Sequence, residues 1–191
     1  IRWVMKIKIK KFKKVKSTND IALQLVKKYI SEPTLIVTDE QTHGRGRVGK
    51  KWISKKGNLL ISIFFKFDQK KINFKQFAIL NALLLKNVIS KTISKKIEIK
   101  WPNDLLYNKV KFCGILQEVV KLNNFDYLIV GIGLNTNIAP ENKSFKSTSL
   151  KNILNKKVNN QKILMNIKIA YEKLLKEKNK LSLSSLKRKY K

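Results

Sequence analysis

Apolar and polar positions change rhythm several times along the chain, and each change marks an element. From Lys6 to Lys16 charged and apolar residues alternate loosely, the pattern of an edge strand. Ser17-Thr18-Asn19-Asp20 has a form close to a helix capping box, and Ile21 to Val26 follows with apolar spacing, so a helix is predicted to run to near Pro33. Thr34 to Thr38 reads as a short buried strand, Asp39 to Lys56 as a long polar loop, and Asn58 to Phe67 as a strongly β-prone run. Phe77 to Ile89 has helical spacing. Ile97 to Lys100 reads as a strand that stops at Trp101-Pro102, because the residue before a proline is pushed out of the helical region. Val110 to Val120 is a strand interrupted by Gly114, and Tyr127 to Gly133 a buried strand. Ile163, Leu164, Ile167, Tyr171, Leu174 and Leu175 recur at helical spacing and predict one amphipathic helix over 160–180. Strands and helices mix without regular alternation, which favours an α+β fold over a doubly wound parallel sheet.

Composition bounds the function more than it defines it. The 191 residues suit one domain, or one domain with a small appendage, and 43% hydrophobic content supports a folded core. There are 43 basic and 12 acidic residues, a net charge of +31. That charge admits a polyanion partner such as nucleic acid. It equally admits lysine written on every tolerant surface position, and the even spread of lysines, with many Asn and Ile, favours this second reading. The one cysteine, Cys113, excludes an internal disulfide framework and a multi-cysteine metal site. No apolar run reaches the ~18 residues of a membrane span and no signal-peptide core is visible, so a reducing, cytoplasmic setting is expected. The chain begins at Ile1, which leaves open that residues precede it.

Candidate chemistry concentrates where glycine and arginine do. Three of the seven glycines fall in Gly44-Arg45-Gly46-Arg47-Val48-Gly49, and so do two of the four arginines in a chain that otherwise uses lysine. Glycine lets backbone N–H groups approach an anion, and guanidinium adds permanently charged, forked donors, so this stretch points to a phosphate-bearing or carboxylate ligand. The spacing satisfies Gly-x-Gly-x-x-Gly, but that motif requires a helix directly after a strand, and a β-prone run follows here. A P-loop reading fails at Lys51, where Ser or Thr is needed. Lys100-Trp101-Pro102-Asn103-Asp104 reads either as one wall of a nucleotide pocket or as a rigid turn with a packed tryptophan. Gly131-Ile132-Gly133-Leu134-Asn135 reads either as a strand-ending turn or as an asparagine presented to a ligand. His43, the only histidine, is assigned no role.

Taken in order, Ser17-Thr18-Asn19, Gln41 with the Gly44–Gly49 run, Lys100-Trp101-Pro102-Asn103-Asp104-Leu105, Lys111 with Gly114-Ile115-Leu116, and Gly131 to Asn137 resemble the motif set of biotin protein ligases over residues 17–137. The resemblance implies an α+β domain with a mixed β-sheet and flanking helices, related to lipoate ligases and class II aminoacyl-tRNA synthetases. It implies activation of biotin by ATP, with Mg²⁺, to biotinyl-5′-AMP, and transfer to a lysine of a biotin carboxyl carrier protein domain. Lys111, Arg47 and Arg45 would be catalytic. Ser17, Thr18, Asn19, Gln41, Gly44, Arg45, Lys111, Gly114 and Leu116 would bind biotin. Arg47, Trp52, Lys100, Asn103 and Asn135 would bind ATP, and no residue is assigned as a metal ligand. The loop over 39–56 is expected to order on ligand. The expected organisation is one catalytic domain over 1–191, without a helix-turn-helix module before residue 17 and without the small β-barrel that commonly follows. Specific DNA binding and membrane association are not expected, and a homodimer is allowed. Lipoate ligase is the nearest rival on the same fold; a nucleic-acid-binding protein is the rival of another class, prompted by charge alone.

Overall fold

The computed structural model describes residues 6–141, 146–177, 184–185 and 188. Their chain order is β1 (Lys8–Val15), α1 (Thr18–Lys27), β2 (Thr34–Gln41), β3 (Leu59–Phe67), α2 (Phe74–Ile93), β4 (Glu98–Lys100), β5 (Asp104–Tyr107), β6 (Val110–Leu122), β7 (Phe125–Leu134), α3 (Leu150–Leu154) and α4 (Asn160–Glu177). The strands form one mixed sheet in the order β1-β2-β3-β7-β6-β5-β4. Only β1 and β2 pair in parallel; every other neighbouring pair is antiparallel. The lysine-rich β1 therefore closes one edge, as its polar alternation predicts.

Strand alternation sorts side chains between the two faces. Ile61, Ile63, Phe65, Leu128, Val130, Ile132, Cys113 and Ile115 join the large core beneath α2 and α4. Phe65 lies in that core between the Phe77 ring, 5.6 Å away, and the Tyr171 ring, 6.4 Å away. The opposite face carries a smaller core of Ile36, Phe64, Tyr127 and Ile129 against Ala22 and Val26 of α1. Both faces of β3 are thus covered, which explains its nearly unbroken apolar run.

Several boundaries differ from expectation. Helix α1 stops at Lys27, before the exposed turn leading to Pro33. β2 continues to Gln41, because its parallel pairing with β1 extends through Val15↔Gln41. The polar loop is correspondingly shorter. β6 is not interrupted at Gly114, whose partners Gly133 and Asp104 keep it in both ladders. The short β5 and α3 carry no clear period of their own and are defined by tertiary pairing and capping. The predicted C-terminal helix is present to Glu177, and 178–180 lie outside the described residues. No helix among the described residues is long and apolar enough to cross a membrane.

Candidate active site

Three glycines shape the site. Gly131 and Gly133 alternate with the core residues of β7, and Gly114 faces Gly133 on β6. By strand parity all three project on the α1 side of the sheet, where missing side chains leave a depression. A Cβ on Gly131 would overlap the Asn19 amide, and one on Gly133 would overlap the Trp52 indole. A Cβ on Gly114 would stand 2.7 Å from Cζ3 of Trp52. The depression forms part of the floor of a cavity of about 670 Å³.

The polar end is built by the start of α1. The Ser-x-x-Asp capping expected there does not form: Ser17 is the N-cap residue, but its side chain makes no cap bond. Gln41 of β2 takes that duty, its Oε1 accepting from the Thr18 backbone N–H at 2.8 Å and from the Thr18 hydroxyl at 3.0 Å. Gln41 Nε2 donates to Ser54 Oγ at 3.0 Å. Ser17, Thr18, Asn19 and Gln41 all line the cavity, as does Leu116. Gly44 does not line it; buried behind Gln41, it accepts from the Trp52 N–H at 2.9 Å, and its carbonyl anchors the glycine loop.

No helix opens at the glycine run, so the dinucleotide-type reading is excluded by the fold. Gly44–Trp52 folds back on itself instead, with Arg45 bridged to Lys51 and the Gly46 N–H donating to Lys50 O at 2.6 Å. The two arginines diverge. Arg45 forks onto Glu118, with Nη1–Oε1 and Nη2–Oε2 both 2.9 Å, and its Nη2 also lies 2.9 Å from Asp20 Oδ1. The hydrogen bond to Glu118 raises the Arg45 pKa further against the opposing effect of burial. Arg47 donates to Asn103 Oδ1 at 3.0 Å, while Asn103 Nδ2 donates to Ile115 O at 3.0 Å. Since a carbonyl only accepts, that second bond fixes which end of the Asn103 amide meets the arginine.

Lys111 Nζ sits 2.8 Å from Asp104 Oδ1 and 5.3 Å from the centre of the Trp52 ring. The Trp52 indole N–H is buried without a hydrogen-bond partner among the described residues. Asn135 is buried at the strand end and lines the cavity, but its amide is engaged: Nδ2 donates to Thr148 O at 3.2 Å and Oδ1 accepts from Asn58 at 3.4 Å. Lys100 lines the cavity from an exposed position, and Trp101 is 56% exposed, so the packed-tryptophan reading of that turn fails. Among the described residues no three His, Cys, Asp or Glu side chains are grouped to hold a metal ion. Asp104, the one carboxylate among the described residues that lines the cavity, is paired with Lys111.

Sequence reasoning missed Glu118 and Asp20, which hold Arg45, Ser54, which accepts from Gln41, Ser62, which lies 2.7 Å from the Thr18 hydroxyl, and Ser147, which lines the cavity. Ser62 carried a signal: it is the single small polar residue inside the apolar run of β3. Glu118 carried one too, as the only acidic residue of β6.

A seven-stranded mixed sheet bearing this cavity is the architecture of biotin and lipoate ligase catalytic domains. A biotin protein ligase from Aquifex aeolicus, solved in complex with biotin and ATP, superposes with a TM-score of 0.81 at 30% identity, covering 96% of this chain and 76% of that one. A bipartite lipoate protein ligase from Thermoplasma acidophilum shares the fold alone, with a TM-score of 0.64 at 10% identity, over 97% of this chain and 91% of that one. The family model for the biotin/lipoate A/B protein ligase family matches residues 11–135, and the chain belongs to that family. The bifunctional ligase/repressor BirA of Bacillus subtilis (strain 168) is 32% identical over 163 residues, 82% of this chain and 50% of that protein. The chain thus spans about half the length of this relative.

Proposed function

We propose that this chain is the catalytic domain of an ATP-dependent biotin ligase, which forms biotinyl-5′-AMP and passes the biotinyl group to a lysine of a carrier protein. The observation that carries the reading is one cavity lined at one end by Ser17, Thr18, Asn19 and Gln41 and at the other by Arg47, Lys100, Asn103 and Lys111. A neutral, hydrogen-bonding head group fits the first end, and paired anions fit the second.

In the first step a biotin carboxylate oxygen attacks the α-phosphorus of ATP and pyrophosphate leaves. Carboxylate and triphosphate repel, so the cations must screen them before they meet. Lys111 is the residue that would lie between carboxylate and α-phosphate; Arg47 and Lys100 would hold the phosphates. Preorganised charge of this kind is worth about 10²–10³ in rate per donor. Trp52 would lie flat against the ligand over the glycine floor, with Asn103 and Asn135 shaping the nucleotide end. In the second step the amine of the acceptor lysine attacks the mixed anhydride carbonyl, and AMP leaves as the amide forms. Neither step needs a nucleophile from this chain. Mg²⁺ accompanying ATP would be carried by the phosphates, and no step above is routed through it. A reducing, cytoplasmic setting fits the one buried thiol.

Biotin-dependent exchange of labelled pyrophosphate into ATP tests the proposal, with lipoate offered in parallel. Exchange with biotin and none with lipoate is expected. Exchange driven by lipoate alone, or by neither acid, would refute it.

A further inference from the structure

A continuous chain of hydrogen bonds connects the glycine loop to the polar end of the cavity, and Glu118 is its hub. Both oxygens of Glu118 accept from Arg45, and Oε2 also accepts from Asn19 Nδ2 at 2.6 Å. Asn19 Oδ1 then faces Ser62 Oγ at 2.5 Å, and Ser62 Oγ lies 2.7 Å from Thr18 Oγ1. Thr18 in turn meets Gln41.

The direction of donation follows from groups that cannot reverse. Guanidinium has no acceptor, so both Glu118 oxygens accept. The Asn19 amide must then present Nδ2 to Glu118 and its oxygen to Ser62. Ser62 has one proton, and Asn19 Oδ1 claims it. At the other end the Thr18 backbone N–H cannot accept, which turns the Gln41 oxygen towards Thr18. The Thr18 hydroxyl proton is therefore directed inward, to Ser62 or Gln41, and a lone pair remains for the cavity. The Asn19 amide is held in place by Gly131, where any side chain would overlap it. Ser62 is fully buried and does not line the cavity, so it acts only through its neighbours.

We infer that Glu118 and Ser62 are positioning residues. Glu118 clasps the loop through Arg45, and the Glu118–Asn19–Ser62 relay holds the Thr18 side chain in the position that donates to Gln41 and turns a lone pair towards an N–H of the bound molecule. Arg45 accordingly serves the loop and the polar end, not the phosphates. This inference rests on the proposed biotin reading for its ligand, but the clasp itself does not. Glu118→Gln supplies an amide that can donate to Asn19 Oδ1 and so turn the relay around; it also weakens the fork to Arg45. Ser62→Ala breaks the relay and leaves the clasp.

Two measurements separate these effects. Limited trypsin digestion of the ligand-free protein reads the clasp, since Arg45, Arg47, Lys50 and Lys51 are cleavage sites within the loop. Cleavage there is expected to be about tenfold faster in Glu118→Gln, near the wild-type rate in Ser62→Ala, and intermediate in Glu118→Asp. Biotin titration of pyrophosphate exchange reads the relay: KM for biotin is expected to rise about tenfold or more in both Glu118→Gln and Ser62→Ala, with kcat within about threefold. Wild-type loop cleavage in Glu118→Gln overturns the clasp, and a wild-type biotin KM in Ser62→Ala overturns the relay. If the wild-type protein shows no biotin-dependent exchange, the functional reading fails, and the digestion alone still decides the clasp. Asp20→Asn, at the other carboxylate on Arg45, replaces Glu118→Gln in the digestion should that variant not fold.

Discussion

Lys111 leans over Gly114 to reach Asp104. Its ammonium is 2.8 Å from the Asp104 carboxylate, and a Cβ built on Gly114 would lie 3.4 Å from that same nitrogen. Asp104 pairs with Gly114 across the β5–β6 ladder, so the glycine leaves room for the lysine to cross. A cation is thereby held inside the cavity, balanced by one carboxylate.

Lys111→Ala is expected to lower biotin-dependent exchange about 10²–10³-fold. It also strands Asp104, whose side chain is 18% exposed. An unpaired polar group so placed costs about 1–3 kcal/mol, or about 2–10 °C in melting temperature for a chain of this size. The double variant Lys111→Ala/Asp104→Ala should regain much of that stability and none of the activity. Thermal melts beside exchange assays check both statements, and a double variant as unstable as the single one would contradict the pairing.

Gly133→Ala forces a methyl group into the Trp52 indole. Its φ is not in the left-handed region, so the strand itself tolerates alanine. The expected outcome is a folded protein in which the displaced tryptophan narrows the cavity and KM rises about tenfold for biotin and for ATP. Unchanged constants would show that the indole is not a cavity wall.

Arg47→Ala removes the donor to Asn103 and one cation from the end of the cavity proposed to hold the nucleotide. KM for ATP should rise about tenfold, and KM for biotin much less, because the polar end has separate anchors. An equal effect on both substrates would argue that Arg47 orders the whole loop.

Burial pushes the Cys113 thiol and the Tyr171 phenol well up, with Lys111 only partly opposing the shift at Cys113. The unfolded chain releases these protons near pH ~8.5 and ~10, while the folded chain keeps them. The unfolded state then binds fewer protons, so stability should fall as pH rises above ~8.5. Denaturant unfolding from pH 7 to 10 checks the sign, and Cys113→Ala should flatten the first part of the decline. The native thiol should also resist labelling at pH 8 and react once guanidinium unfolds the protein.

Part of this site was legible because its residues act where they stand. The order of Ser17-Thr18-Asn19, Gln41, Lys111, Gly114 and Gly131 to Asn135 in the motif set could be read from short stretches, and the structure brings Ser17, Thr18, Asn19, Gln41, Lys111, Gly114, Gly131 and Asn135 to one cavity. Arg45 was not legible in the same way. Its charge was evident, but Glu118 lies 73 positions away and in isolation reads as one more polar residue on a strand. Ser17 misled for a related reason: local sequence supports a capping box, and tertiary structure supplies a better cap from Gln41.

The sequence by itself determined the element types, the lysine-rich edge and the family, because periodicity, glycine placement and motif order are properties of short stretches. Tertiary structure alone decided the ends of β2 and β6, the existence of β5, and which cations are paired. Strand ends and ion pairs depend on partners distant along the chain, and no local pattern encodes the distance between Arg45 and Glu118 or between Lys111 and Asp104.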